Sequence, residues 1–465
     1  MKVVVLGGSP KGDQSVTMQY VKYLETGVPD IEWNVIQIAS KIRAIEKEDG
    51  RFQSVIDEIA SAGAILWAFP LYFMLVCSQY KRFIELVFER QAQAAFSGKY
   101  AASLSTSIHF YDHTAHNYIQ AISDDLGMRF VDSYSANMHD LFNREGRAAV
   151  LAFGQKFETA LKERFAYSKQ FYPVSAEPRF TYTRPTEVIP AVDGQHATRI
   201  TIVADRLDGN LAGMVARLEA TLPQPVRVVE LASVRTTGGC LGCLKCAPKN
   251  VCAYTGKDDF IETMRESLLP ADTIVFAGTV VDRYFSWIWK RFFDRSFFNT
   301  HTPWLDGKRF AFLVAGPWSK LDNLREIMMA YVEMQHGEFL GSVSDECATA
   351  EELDSIIAGL GTRITTAVES GRQPVPAATF RGVAGLKLFR DEVYLGLRAV
   401  FKVDHRYYRT HGTYDFPHRR IGSWFAAAFL NLLTSIPAVQ KKMTSEMSRM
   451  MVLRYRKVVT LPPGA

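Results

Sequence analysis

The feature that most constrains this chain is an alternation of strands and helices that runs through residues 1–150 and then starts again near residue 199. "KVVVLG" (2–7) is a short β-branched run ending in glycine, and a helical pattern begins near Ser15. Apolar runs follow at 33–38, 63–69, 100–106 and 128–136, separated by amphipathic segments at 15–26, 51–61, 78–96 and 114–126. Strands alternating with helices give a parallel sheet covered on both faces. "RITIVAD" (199–205) restarts the pattern, with a helix over 209–222 and strands over 226–231, 272–278, 309–316 and 338–344. The repeat is one of architecture, at a spacing of roughly 200 residues, far longer than a solenoid period. The predicted fold is α/β: two doubly wound, parallel five-stranded sheets in tandem, followed by a mainly helical C-terminal extension.

The boundaries follow from composition. Residues 1–170 form the first repeat and 198–372 the second. Residues 171–197 carry four prolines and no clear period, which predicts a linker. Residues 373–465 form the extension. Within it, 421–440 carry no charge and lie between Arg419-Arg420 and Lys441-Lys442. Gly422, Asn431, Pro437 and Gln440 favour a helix buried against the domains or at an oligomer interface over a membrane span, with a membrane-surface contact as the alternative. "HRYYRTHGTYDFPHRR" (405–420) reads as a polar connection with aromatic packing, or as a cover for a ligand or an acidic partner. The net charge of +5 comes with no basic stripe interleaved with aromatics, so nucleic acid is not an expected partner. The N-terminus shows no cleavable export signal, which predicts a cytoplasmic protein with reduced cysteines.

Two loops of the first repeat carry chemistry. "GGSPKGDQSVT" (7–17) joins strand to helix, with hydroxyls at Ser9, Ser15 and Thr17 and a cation at Lys11, all near a helix N-terminus. That combination suits a phosphate. It is neither the Walker pattern nor the dinucleotide fingerprint. "FPLYFMLVCSQYKRFIE" (69–85) puts Pro70, Leu71, Tyr72 and Phe73 at the carboxyl end of the sheet, where doubly wound folds hold ligands. A flat ring with a phosphate tail fits both loops. Together they resemble the NAD(P)H-dependent FMN reductases of the flavodoxin-like superfamily. The resemblance implies that Ser9, Lys11, Ser15 and Thr17 hold the FMN phosphate and that Pro70, Leu71, Tyr72 and Phe73 flank the ring. It also implies that "STSIHFYDH" (105–113) closes over the ring, with Ser105 and Ser107 on the cofactor and His109 donating to it or relaying a proton. His109, Asp112, His113 and His116 are read as part of this loop in preference to a metal site.

"CLGCLKCAPKNVC" (240–252) holds four of the 6 cysteines of the chain, after the second strand of the second repeat. A structural zinc site usually joins two C-x2-C knuckles across a longer spacer. Three cysteines at successive x2 spacings suit a chain wrapped around an iron–sulfur cube. The loop resembles that of the iron–sulfur flavoproteins, down to Asp258-Asp259 opening the next helix. The resemblance implies a [4Fe–4S] cluster on Cys240, Cys243, Cys246 and Cys252, while zinc, redox thiols and simple packing remain open. Cys77 and Cys347 read as small buried hydrophobes. The second repeat departs from the flavin pattern. Asp205 and Asp208 would repel a phosphate, and Val280 and Asp282 replace the expected Pro and Tyr, so no FMN is expected there. The combined expectation is an oxidoreductase that couples FMN to the cluster, fed by NAD(P)H or a ferredoxin-type donor, and assembled as a homo-oligomer as relatives commonly are. Its alternatives are an electron-transfer subunit that docks a redox partner through 373–465, and an FMN reductase with a zinc-bearing or cluster-free second domain.

Overall fold

A computed structural model describes residues 1–175, 178–183, 199–223, 225–243, 245–246, 250–299, 303–377, 379, 390–391, 393–399, 401–410, 414, 421–439 and 442. The first sheet contains β1 (Lys2–Gly7), β2 (Glu32–Gln37), β3 (Ala64–Pro70), β4 (Tyr100–Ser107) and β5 (Arg129–Asn137). All are parallel, in the order β2-β1-β3-β4-β5. Its helices are α1 (Val16–Gly27), α2 (Ile42–Lys47), α3 (Asp49–Ser61), α4 (Ser78–Glu89), α5 (Asp112–Asp125) and α6 (Arg144–Lys162). The second sheet contains β6 (Ile200–Ala204), β7 (Val226–Glu230), β8 (Thr273–Thr279), β9 (Arg309–Ala315) and β10 (Glu338–Ser344), in the order β10-β9-β8-β6-β7. Its helices are α7 (Gly209–Thr221), α8 (Phe260–Leu268), α9 (Trp287–Ser296), α10 (Asp322–Met334) and α11 (Ala350–Glu369). The second order is the first read from the other edge. The strand order reverses between β1 and β3 and again between β6 and β8, and ligand crevices form at such points.

The strands are apolar throughout because both faces are covered. Val3 and Val5 pack under α1 and α6, while Val4 and Leu6 enter a different core. That second core is continuous between the repeats, running from Trp67 and Phe83 to Phe276, Trp289 and Phe293. The helix expected over 78–96 ends at Glu89, where Gln91 turns the chain at φ 55°. The segment expected to link the repeats is partly packed: Tyr182 is buried in a third core, with residues of α7 and α11, its N–H donating to Asn210 and its hydroxyl to Asp354. Most of the remainder, 184–197, lies outside the described residues.

Helices α4 and α9 join the repeats through reciprocal contacts. Asp294 on α9 accepts from the first N–H of α4, at Ser78 (2.7 Å), and Glu85 on α4 accepts from the first N–H of α9, at Trp287 (2.6 Å). Each carboxylate therefore satisfies a helix terminus that has no intrahelical acceptor. Lys81 is fully buried and bridges Glu85 (3.0 Å) and Asp282 (2.9 Å). Lys290 is also fully buried, pairs with Asp294 and donates to the Tyr72 carbonyl (3.0 Å). Asp282 further accepts from the Tyr118 hydroxyl and the Tyr284 N–H, both at 2.9 Å. Burial, reinforced by Asp282, holds the Glu85 carboxyl up at about 7 even though Lys81 pulls it down.

Residues 1–379 form one compact unit that holds both sheets, and 380–465 form a second. The second unit includes helices over Lys402–Thr410 and Ile421–Leu433. Phe425, Phe429 and Leu432 are 61%, 62% and 69% exposed in the single chain. Among the described residues no helix is long and apolar enough to cross a membrane. Of 405–420, residues 411–413 and 415–420 lie outside the described residues, and His405 sits 3.0 Å from the Tyr414 hydroxyl.

Replacing Lys81 by alanine would leave Glu85 and Asp282 buried without their cation. The expected loss is roughly 3–5 kcal/mol in chemical denaturation. Lys2→Ala, which removes the exposed pair with Glu58, should cost about 1 kcal/mol or less. Equal losses would mean that the buried array is not holding the repeats together.

Candidate functional site

The site begins where β1 ends. β3 passes so close that a Cβ on Gly8 would stand 2.8 Å from the Cβ of Phe69, so only glycine fits. Ser9 follows, buried, and its hydroxyl accepts from the Lys11 N–H (3.2 Å). Gly12, at φ 55°, turns the chain toward α1. Ser15 caps that helix, its hydroxyl accepting from the Met18 N–H (3.2 Å). The remaining first-turn N–H groups and the positive end of the helix dipole suit an anion. Thr17 points elsewhere: its hydroxyl lies in the interior, 2.6 Å from that of Thr106.

After β3 the chain makes a tight turn in which Tyr72 and Leu75 exchange two backbone hydrogen bonds, at 2.8 and 2.9 Å. Phe73 and Met74 at its centre both hold positive φ (30° and 60°), which is costly for side chains of this size. The neighbouring repeat holds the turn in place: Phe73 stacks on Phe293, with centroids 5.5 Å apart and planes 6° from parallel.

A cavity of about 310 Å³ opens at this point. Ser9, Lys11 and Ser15 line one part of it. Pro70, Leu71, Tyr72 and Phe73 line another, joined by Ser107, Ile108 and Met138. Cys240, Cys243, Cys246 and Cys252 of the second repeat are all in its wall. Asp294, Arg295 and Phe298 complete that side. Thr106 and Ile108 come from the 105–113 loop without having been singled out in it, and Met138 and Asp294 lie outside every loop motif.

Ser105, Thr17 and His109 stand outside this wall. Ser105 is turned into the core, 2.8 Å from Nε2 of His116, whose Nδ1 lies 2.7 Å from the Ser103 hydroxyl. Burial pushes His116 down to about 4, so it is neutral at physiological pH. His109 lies at φ 62° with Nδ1 3.3 Å from Asp112, and the hydrogen bond to that carboxylate raises its pKa. Burial works against the Asp112 charge, but hydrogen bonds from His109, Ser107 and Ser135 outweigh it and hold the carboxyl down at about 2. His113 turns to Glu326 of the second repeat (3.0 Å). The three histidines therefore occupy three separate environments.

The cysteine loop is clamped at its base. Gln79 on α4 donates to the Cys240 carbonyl (3.0 Å), and a Cβ on Gly239 would stand 2.5 Å from the Ser78 hydroxyl. Arg295 forms two 2.9 Å bonds with Asp258 and a third with the Gly238 carbonyl, and lies over the rings of Tyr254 and Phe260. Asp258, noted in sequence beside the cysteines, thus anchors the loop. Gly242 is left-handed (φ 62°), and a Cβ there would fall 2.0 Å from the Tyr72 hydroxyl, with the Lys11 side chain 3.4 Å away. Burial pushes the Cys240 thiol up to about 12, against a hydrogen bond from the Gly242 N–H. Burial also raises Tyr72 strongly, with Cys77, Cys240 and Asp294 adding to it, so its hydroxyl stays protonated.

The cavity offers a polar, cationic part and a flat apolar part, which fits a ring carrying a phosphate. The four thiols share one wall and supply soft donors. Among the described residues, no three His, Cys, Asp or Glu side chains converge as they would around a metal ion. Leu244 and residues 247–249 of the loop lie outside the described residues. The donor chemistry suits an iron–sulfur or zinc site, while the arrangement is not closed around a single ion. In the second repeat, Asp205 is buried at the end of β6, takes a hydrogen bond from Ser286 (2.7 Å), and is pushed by burial to about 6.

Residues 1–141 match the family NADPH-dependent FMN reductase. No curated protein matches the chain. Among solved structures, the chain is similar to an NADH:FMN oxidoreductase in its apo form, at 18% identity, with 34% of this chain and 89% of that one covered and a TM-score of 0.30. It is also similar to an FMN-dependent NADH-azoreductase from Bacillus anthracis in complex with FMN, at 15% identity, 35% and 99% coverage and a TM-score of 0.26. A third is an NAD(P)H:quinone oxidoreductase from Methanothermobacter marburgensis, at 13% identity, 36% and 99% coverage and a TM-score of 0.25.

The contact between the two loops can be isolated with two glycines. Gly242 and Gly256 both hold positive φ (62° and 73°), but a Cβ on Gly256 meets nothing within 4 Å. Gly256→Ala should cost about 1–2 kcal/mol, the left-handed backbone penalty alone. Gly242→Ala should cost clearly more in the same denaturant titration, because Tyr72 must also move. Equal costs would show that the cysteine loop does not press on Tyr72.

Proposed function

We propose that this protein is a flavin-dependent oxidoreductase that binds FMN in the first repeat and a [4Fe–4S] cluster on the cysteines of the second, with electrons supplied by NAD(P)H or a ferredoxin-type donor. The observation that carries this reading is the shared cavity, walled by the phosphate loop of one repeat and by all four cysteines of the other. The match of residues 1–141 to NADPH-dependent FMN reductases supports it. On this reading residues 1–170 are the flavin repeat, 171–197 the connection, 198–372 the cysteine repeat and 373–465 an extension.

FMN supplies hydride acceptance, and a cluster supplies one-electron transfer. Ser9, Lys11, Ser15 and the α1 terminus would bind the phosphate. Pro70, Leu71, Tyr72 and Phe73 would orient the ring, and the strained turn at Phe73 fixes the plane they present. Phe298 would close the inner side of the site, with Ile108 and Met138 at its exposed rim. Tyr72 keeps its proton and offers a neutral hydroxyl beside Lys11. His109, held by Asp112 with a raised pKa, would store a proton outside the wall. Cys240, Cys243, Cys246 and Cys252 would hold the cluster. A second reading, an FMN reductase with a zinc-bearing or cluster-free second repeat, draws on the lack of three convergent metal-binding groups among the described residues.

Anaerobic purification followed by quantitation separates the readings. The expected result is about one FMN, four iron and four sulfide per chain. FMN without iron, or with stoichiometric zinc, would leave only the second reading. Lys11→Ala should lower FMN content at least severalfold while leaving iron unchanged. Bleaching of the flavin by NADPH or NADH alone is expected if the nicotinamide is the donor; a need for a reduced protein donor would reassign the chain as a carrier.

A further inference from the structure

The cysteine loop has a second side. A cleft of about 780 Å³ lies there, and Leu241 and Tyr254 are in the walls of both cavities, so the loop forms a partition between them. The cleft is built by the segment after β2, by α4, by α9 and by the Thr236–Gly239 stretch that leads into the cysteines. Its volume is that of a small-molecule site.

Its charge is one-sided. Lys41, Arg43, Lys47, Arg82 and Arg291 face it against a single carboxylate, Glu46. Arg82 is already committed to Glu46 (2.8 Å) and Glu89 (2.6 Å). Lys41, Arg43 and Lys47 are exposed and have no carboxylate partner among the described residues. Arg291 is partly buried, donates a long bond to the Leu231 carbonyl (3.3 Å) and lies 4.8 Å from the centre of the Trp287 ring. Burial, with the nearby charge of Arg295, pushes it down to about 10. A guanidinium that forms no ion pair among the described residues, with Asp258 and Glu46 nearby but engaged by Arg295 and Arg82, is an incomplete electrostatic arrangement. Anions complete it, and phosphate suits both the fork of arginine and the point charge of lysine.

We propose that this cleft binds a small phosphorylated molecule of nucleotide size carrying at least two phosphate groups, separate from the phosphate loop and against the outer side of the cysteine loop. The recognised chemistry is the paired phosphates. Their source can be a nucleotide or a free pyrophosphate, and the two are told apart by the probes used. The inference does not depend on what the four cysteines hold.

The test uses the full chain with FMN in excess, so that the phosphate loop is filled. Adenosine 2′,5′-bisphosphate, inorganic pyrophosphate and adenosine are titrated by calorimetry at low salt. The bisphosphate should bind and adenosine should not; pyrophosphate binding at least as tightly would assign the site to free phosphates. Arg43→Ala with Lys47→Ala should weaken binding at least tenfold without changing FMN content, and Arg291→Met should do likewise. Lys11→Ala, which lies in the wall of the first cavity and not of this cleft, should leave probe binding unchanged. No binding by either phosphate probe overturns the proposal. So does binding that survives the cleft variants, or that Lys11→Ala abolishes, because the anion would then sit elsewhere.

Discussion

Two helices that cap each other across a joint hold this molecule in its working form. Asp294 closes the N-terminus of α4, and Glu85 closes that of α9. Burying four charged side chains here is expensive, and ion pairing by itself seldom recovers the cost. These carboxylates also satisfy backbone donors that would otherwise be buried without partners, which avoids a further penalty of about 1–3 kcal/mol at each helix start. The lysines behind them, Lys81 and Lys290, tie the same carboxylates to the turns that follow β3 and β8. Helix register, turn position and strand ends are therefore set by one network, with little room to slide.

The composite cavity is a consequence of that joint. The turn at Phe73 stacks on Phe293, one residue before Asp294. The cysteine loop is hung from Gln79 on α4 and Arg295 on α9. A change in the angle between the helices would move the ring-facing turn and the cysteines relative to each other. The site is thus built by the packing between the repeats as much as by either motif. Arg295 illustrates this: one side chain anchors the loop through Gly238 and Asp258 while lining the cavity.

The strands were legible because burial on both faces demands unbroken apolar runs, and "KVVVLG" or "RFAFLVA" admit few other readings. That the 7–17 and 69–85 loops meet at one cavity was legible because both follow strands at the carboxyl end of the sheet, beside the point where strand order reverses. Thr17 and Ser105 carry the right group on the wrong face, one turned to Thr106 and the other to His116, and a motif says nothing about facing. Met138 and Asp294 reach the cavity through tertiary placement with no local signature. The helix over 78–96 was read too long because its apolar pattern continues past Glu89, while the backbone breaks at Gln91. Tyr182 lay in a proline-rich stretch whose composition hides a buried anchor.

Departures from the flavin pattern in the second repeat have structural uses. Asp282, standing where the pattern has tyrosine, receives Lys81, Tyr118 and the N–H of Tyr284. Asp205, standing where a phosphate loop would begin, receives Ser286 at the entry to α9. Two identical subunits would have to place the same residues on both sides of such a joint. A tandem chain is free of that demand. Here Lys81 grips an aspartate side chain, whereas Lys290 grips the carbonyl of Tyr72, so the two halves of the joint have diverged while keeping their reciprocal caps. That asymmetry leaves Tyr72 free to face the cavity and makes room for a cysteine loop on one side only. Covalent fusion is one way to let the two repeats carry different residues, the 7–17 loop in one and four thiols in the other, while both line one cavity.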